Sequence, residues 1–279
     1  MKRKMYGIAF LLTILLSLTC CGNQAQTESD TKTTGRSVLE METAALSSIS
    51  ETTISKARTT AVTTTVITTE TTTVTTTVQE EICSEMQSVL EDSDYTVQDL
   101  DGSQQFIAAV SDGCTCHVYG FEKEENSWNN VFTTDGFVGK NGVSPDSCEG
   151  DYHTPQGLFP LGFAFGTEPM ENLSVEYRLI NENSYWVDDP DSEYYNMWCE
   201  TTDITWNSAE HLIDYPSAYH YAVVIDFNME PIVPNKGSAI FLHCSTGGYT
   251  AGCVSVPENV MYDILHWLDD EKEPMIMIV

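Results

Sequence analysis

From Arg58 to Thr77, 13 of 20 residues are threonine, and this run decides how much of the chain is able to fold. Threonine at such density favours extended backbone, and the surrounding stretch is poor in aromatics. It therefore buries too little to offset its own chain entropy. We read residues 22–80 as a disordered linker or stalk. As a random coil it spans roughly 40 Å on average, and about 200 Å at full stretch. The remainder, 81–279, has the length of one globular domain.

The N-terminus carries Lys2, Arg3 and Lys4 ahead of an apolar run from Ile8 to Leu18. That run is too short for a comfortable membrane span and reads as a secretion signal covering residues 1–21. The sequence Leu18-Thr19-Cys20-Cys21 resembles a bacterial lipoprotein cleavage box. The resemblance implies lipidation of Cys21 and an extracytoplasmic, lipid-anchored protein at the bacterial membrane, facing the cell wall. The alternative is an ordinary signal peptide with incidental cysteines. A formal charge of −30 argues against nucleic acid or a bare anionic membrane surface as partner, since both would repel it.

Nine cysteines occur, seven of them in the domain: Cys83, Cys114, Cys116, Cys148, Cys199, Cys244 and Cys253. Export permits disulfides, and the connectivity is open. Ile82, Met86, Val89 and Leu90 share a helical face. Phe106–Val110, Thr115–Phe121, Trp128–Thr133, Tyr221–Phe227 and Ala239–His243 are short runs rich in β-branched and aromatic residues, so the domain is expected to be mainly β. Pro257-Glu258 opens a helix with a stripe of Val260, Ile264, Leu265 and Leu268. Met275–Val279 reads as a buried closing strand. The stretch from Val138 to Gly166 carries so much Gly and Pro that it is expected to be a chain of turns.

The chemistry-bearing candidate is Cys253, in "TAGCVSVPENV", expected at a strand end just before the helix. Gly252 leaves its thiol uncrowded. His243 closes a second strand run, and two adjacent strand ends would bring the two together. A neighbouring imidazole raises the thiolate fraction of a thiol whose ordinary pKa is about 8.5. The Gly252 and Cys253 amides would then be donors to an oxyanion. Spacing alone leaves the alternatives open: a structural cysteine, a Cys244–Cys253 disulfide, or a zinc site from His243, Cys244, Cys253 and His266. His153, Tyr249 and Thr250 are candidates for the substrate cleft. Asp188, Asp189 and Asp191 lack calcium-site spacing. Tyr185, Trp186, Tyr194, Tyr195 and Trp198 read as core or cleft wall.

Three ordered segments, "GSAIFLHCSTGGYTAGCVSVPENVMYDILHWLD" from Gly237, "VGKNG…EGDYHTPQGLFPLGFAFG" from Val138 and "YWVDDPDSEYYNMWC" from Tyr185, together resemble the YkuD-like L,D-transpeptidase family. The similarity covers roughly Phe106 to Val279. It implies a β-sandwich catalytic domain with a short helix before the last strand, no cofactor and no metal. It further implies a cysteine that attacks the bond between the third and fourth residues of a peptidoglycan stem peptide. D-Ala leaves, a thioester acyl-enzyme forms, and an amine of a neighbouring stem resolves it to a 3-3 cross-link. Cys253 matches the nucleophile, His243 the activating histidine and Gly252 the glycine before the nucleophile. Many members read Ser-His-Gly-Cys followed by an apolar residue and Arg. This chain has Thr250-Ala251-Gly252-Cys253-Val254-Ser255, without the second histidine and the arginine. A Thr-Ala-Gly-Cys form occurs in one branch that shares the FPLG-x-AFG segment. The group that orients His243 is unassigned at this stage. An L,D-carboxypeptidase using water as acceptor, and a non-catalytic peptidoglycan-binding module, are the rival readings.

Overall fold

Phe106, Ile107, Ala108 and Ala109 are all fully buried, which requires a strand covered on both faces. The structure is a computed structural model that describes residues 80–279. The signal segment, Cys21 and nearly all of the threonine-rich stretch lie outside the described residues. Within Gln105–Asp112, Ile107 and Ala109 enter a central cluster, while Phe106 and Ala108 enter a second one. This two-residue alternation is the pleat at work. The second cluster is capped by the helix Ser84–Glu91, whose Met86 and Val89 are buried as the sequence periodicity requires.

Most of the strands form one large sheet. Its order runs Glu81–Ile82, Ser127–Phe137, Val254–Val256, Phe241–Cys244, Ala222–Ile225, Gly157–Gly166, Met275–Ile278, Gln105–Asp112, Thr115–Glu124. Ser127–Phe137 pairs along its length with Thr115–Glu124 and, through Phe137 opposite Ser255, with Val254–Val256. The sheet thereby folds back on itself around the central cluster, to which Ile264 and Leu265 of the C-terminal helix and Leu268 just after it contribute. That helix, Glu258–Trp267, begins after Pro257 and carries Glu258 in its first turn, where an acid suits the dipole. The closing strand Met275–Ile278 lies between two neighbours, antiparallel to Gly157–Gly166 and parallel to Gln105–Asp112. The mainly β architecture with a short helix before the last strand is therefore as expected.

The Val138–Gly166 stretch departs from the expectation of turns throughout. Its first part is irregular apart from short pairings such as Val143–Ser144 with Thr154–Pro155, but Gly157–Gly166 is a ten-residue strand in the middle of the sheet. Close approach explains the glycine content there. A Cβ on Gly166 would sit 2.3 Å from the His220 carbonyl oxygen, so the neighbouring chain demands a residue without one.

A separate three-stranded sheet, Trp198–Glu200, Ser184–Val187 and Ala209–His211, contributes to a third cluster. There Trp186, Phe165, Phe241 and Tyr219 pack edge to face, with ring centroids 4.9 to 5.6 Å apart. Among the described residues no helix is long and apolar enough to cross a membrane.

Candidate active site

Two parallel strands, Phe241–Cys244 and Val254–Val256, pair in the register Leu242–Val254, His243–Ser255, Cys244–Val256. The pleat sends Leu242, Cys244, Val254 and Val256 into the central cluster. The opposite face carries His243, Ser255 and, one residue before its strand begins, Cys253. Cys253 thus stands at the start of its strand, where the sequence suggested an end. It is the parallel register that sets the thiol two residues back from His243 on one face. The chain returns between the strands through Ser245–Gly252, where Gly247 adopts φ +91°, a conformation glycine takes without penalty.

The loop before Cys253 is clamped by the Val138–Gln156 segment. Thr250 N–H donates to the Val138 carbonyl, and Lys140 N–H donates to the Thr250 carbonyl. The Cys253 carbonyl accepts from Thr250 Oγ1 at 2.6 Å and from Thr154 Oγ1 at 3.2 Å. Gly139 N–H in turn donates to Thr154 Oγ1 at 2.7 Å. Gly252 N–H donates to Thr250 Oγ1 at 3.2 Å. Thr250 therefore both borders the cavity and fixes the backbone that presents the thiol. The two sequence segments separated by some hundred positions are physically one unit.

His243 is 7 % exposed. Its Nδ1 lies 2.9 Å from the Cys244 carbonyl oxygen. A carbonyl only accepts, so Nδ1 carries the proton and Nε2 keeps its lone pair. The orienting group left open by the sequence is thus a backbone carbonyl. Burial pushes the imidazole pKa down to about 4, against the pull of that carbonyl bond, so the ring is neutral at pH 7. The Tyr219 ring packs edge-on against it, centroids 5.6 Å apart. Cys253 is equally buried. Its thiol donates to the Ala239 carbonyl at 3.2 Å and accepts from Phe241 N–H at 3.3 Å. Burial holds the thiol well above its ordinary pKa, the Glu210 carboxylate adds to this, and the Phe241 amide opposes it. At rest Cys253 is a thiol and His243 a neutral imidazole, and both border one cavity. Ala239, whose carbonyl receives the thiol proton, sits at φ +54°, unusual for a residue with a Cβ. Asn196 Oδ1 accepts its N–H at 3.1 Å.

Cys253, His243, Gly252, Thr250 and Tyr249 line one cavity of about 360 Å³. His153 does not. It lies behind Gly252, its carbonyl 3.2 Å from where a Cβ on that glycine would be, and its Nδ1 is 3.3 Å from Asp151 Oδ2. His266 is exposed on the C-terminal helix, bonded to the Tyr262 carbonyl at 3.0 Å. Cys244 and Cys253 are free thiols on opposite faces of the strand pair. Asp189 accepts from the Asn207 and Asp191 amides at 2.7 and 3.1 Å, a loop-closing role. Trp186 and Tyr195 are core, and Tyr194 is exposed. A larger cavity of about 450 Å³ is lined by Cys116, His117 and Asp135. Its His117–Asp135 pair is exposed, and it contains neither Cys253 nor His243.

The wall of the Cys253 cavity carries residues that the sequence did not single out: Glu149, Glu210, Tyr215, Tyr219 and Ser238. Glu210 is supplied by the small sheet. It accepts the Tyr219 hydroxyl, and burial, with the Asp188 and Glu149 carboxylates adding, pushes its pKa up to about 7. In a chain with 42 acidic residues no local pattern marks this one.

Residues 118–277, more than half of the chain, match the YkuD family, described as the L,D-transpeptidase catalytic domain. A solved structure, Bdellovibrio bacteriovorus Bd1075, is similar at 13 % identity and a TM-score of 0.36, covering 63 % of this chain and 48 % of that one. The chain thus spans about half the length of that structure. Comparison with curated proteins finds no match. With a β-rich domain and a cavity-lining Cys-His arrangement inside the matched residues, the chain belongs to the YkuD family of L,D-transpeptidase catalytic domains, a family acting on peptidoglycan peptides.

Proposed function

We propose that the chain is a cell-surface L,D-transpeptidase that uses Cys253 as nucleophile and His243 as base. The observation that carries this reading is the shared cavity. The thiol and the imidazole line it together, and the commitment of His243 Nδ1–H to the Cys244 carbonyl leaves Nε2 as the proton acceptor. Burial favours the neutral form of both groups. Proton transfer therefore accompanies attack and does not precede it as a standing ion pair. The thiol hydrogen turns from the Ala239 carbonyl toward Nε2, Sγ bonds to the carbonyl carbon between the third and fourth stem residues, and D-Ala leaves with the proton from His243. A neighbouring stem amine then attacks the thioester, His243 takes the amine proton, and Sγ leaves. Phe241 N–H, 3.3 Å from Sγ, stabilises the sulfur as it becomes negative. The Gly252 and Cys253 amides serve the oxyanion, with Thr250 Oγ1 giving up or sharing the Gly252 N–H. The N-terminal signal, Cys21 and the threonine-rich stalk support a lipid-anchored enzyme that reaches into the cell wall.

The test is mass spectrometry of tetrapeptide muropeptides incubated with the full chain, comparing wild type with Cys253→Ala and His243→Ala. D-Ala loss with dimers appearing only in wild type is the expected result. Tripeptide without dimers would make water the acceptor and the chain a carboxypeptidase. Unchanged tetrapeptide, with Cys253 shown to be reduced, would sink the enzyme reading in favour of a wall-binding module.

A further inference from the structure

Glu210 lies in the middle of Ala209–His211, opposite Trp186 of the neighbouring strand, and borders the cavity that holds Cys253 and His243. It accepts the hydroxyl of Tyr219. Tyr219 is 5 % exposed, and its ring packs edge-on against His243, centroids 5.6 Å apart. One residue earlier, the Ala218 carbonyl accepts the Cys244 N–H at 3.1 Å, and the Cys244 carbonyl is the group that fixes the His243 tautomer. A chain of contacts thus runs from the Glu210 carboxyl to the base. The charges around that carboxyl are one-sided. Asp188 and Glu149 add negative charge from two other segments, and the ionisation of Tyr215, Tyr219 and Cys253 is opposed by the charge on Glu210 itself. Among the described residues no lysine or arginine lines the cavity; Lys140 lies over two of its tyrosines, Tyr152 and Tyr249, at 6.0 and 5.7 Å from the ring centroids. Attack by Cys253 brings further negative charge into this volume, first on sulfur and then on the oxyanion. In a desolvated site a carboxylate that borders the same cavity opposes both. Burial and the two neighbouring acids put the Glu210 pKa at about 7, so its neutral form is well populated at neutral pH.

We propose that Glu210 is a positioning residue that works in its protonated form: as a neutral acid it holds Tyr219 against His243 without placing a charge in the cavity of Cys253, and on ionisation it slows attack by the thiol. The proposal rests on the reading of Cys253 as nucleophile and adds to it the group that sets the response of that nucleophile to pH. The carbonyl oxygen of a carboxylic acid still accepts the Tyr219 hydroxyl, so the contact with the base survives protonation while the charge does not. The proton is taken from solvent before attack and stays on Glu210 throughout. The acyl-transfer steps themselves are unaltered.

The full chain is alkylated with iodoacetamide, a neutral electrophile, from about pH 5.5 to about pH 8.5, on either side of the Glu210 titration. Peptide mass spectrometry reads the rate at Cys253 apart from the other cysteines. Glu210→Gln keeps a carbonyl acceptor for Tyr219 and cannot ionise. We expect the rate of this variant relative to wild type to rise about tenfold across the range, the effect of one pKa unit on the thiolate fraction, with the change centred near neutral pH. Tyr219→Phe removes the hydrogen bond that favours the carboxylate, so the break in its pH profile should move to higher pH than in wild type. That variant carries the test if Glu210→Gln does not fold. A ratio constant with pH, a uniform loss of rate included, would make Glu210 a structural group and overturn the proposal, as would an unmoved break in Tyr219→Phe. D-Ala release from a tetrapeptide donor is read separately by mass. Release with a constant ratio removes the role of Glu210 and keeps the transferase reading. A pH-dependent ratio without release does the reverse.

Discussion

The two faces of the Phe241–Cys244 and Val254–Val256 strand pair are built from one backbone and do opposite things. Leu242, Cys244, Val254 and Val256 are between 0 and 1 % exposed and meet only the central cluster. Cys253, His243 and Ser255 are 7, 7 and 1 % exposed, and they border a cavity. Burial is nearly the same on both sides. Both thiols are pushed upward by it, Cys244 to about 11 and Cys253 further. The difference lies in what surrounds each sulfur. Cys244 Sγ contacts the Tyr221 carbonyl at 3.4 Å and does not line the cavity that holds Cys253. Cys253 has a peptide N–H on one side, a base on the same face and space for a substrate. A perturbed pKa by itself does not single out a nucleophile; the proposal for Cys253 rests on the open volume and on the imidazole of the same face.

Several substitutions would break or sharpen this contrast. The largest effect is expected from the cysteine pair: Cys253→Ala should reduce D-Ala release to background, a loss on the order of 10⁴-fold or more, with the fold retained. Cys244→Ala should leave turnover in place and cost about 1–3 kcal/mol of stability. Product mass spectrometry together with denaturant melts of both variants checks the pair, and loss of turnover in Cys244→Ala alone would erase the distinction between the faces. His243→Gln should slow acylation of Cys253 by about 10²–10⁴-fold, read as the rate of adduct formation. On the apolar face, Leu242→Ala should cost about 2–5 kcal/mol, visible as a lower urea midpoint, with kinetics near wild type at temperatures where the variant is folded.

The fourth prediction concerns pH. The folded pKa of His243, about 4, is below the ordinary 6.5. Its stabilising contribution is thus fully present above about pH 6.5 and is lost as pH falls toward 4, because the unfolded chain takes up the proton first. Wild type should lose more stability than His243→Gln between pH 7 and pH 4.5, and equal losses in urea melts would show that the ring is not held neutral. The smallest effect is expected at Ala239. Its φ of +54° costs an L-residue about 1 kcal/mol, so Ala239→Gly should leave stability unchanged or raise it by up to about 1 kcal/mol. A clear drop in the thermal midpoint would mean that packing by the methyl group outweighs the strain.

Where strands and helices lie was largely legible, because the runs around Ile107, Val118, Val223 and Leu242 are rich in β-branched and aromatic residues and the helix after Pro257 carries a clear apolar stripe. Gly157–Gly166 was illegible as a strand. Its glycines answer to neighbours such as the His220 carbonyl, which no local pattern records. His243 and Cys253, which line one cavity, were singled out from motif order. Glu210 was not, since its importance comes from the burial that Tyr219 and the small sheet impose on one acid among many.

By itself the sequence determined the β-rich character of the domain and its family, and it singled out Cys253 and His243 as candidates for the chemistry. These follow from local composition, periodicity and motif, all of which are properties of neighbours along the chain. Only the tertiary structure decided that a parallel register sets Cys253 and His243 on one face, that the Cys244 carbonyl selects the imidazole tautomer, and that Glu149, Asp188 and Glu210 border the same cavity as the thiol. Those are contacts between residues far apart in sequence. Their energies depend on distance and desolvation, which exist only once the chain has folded.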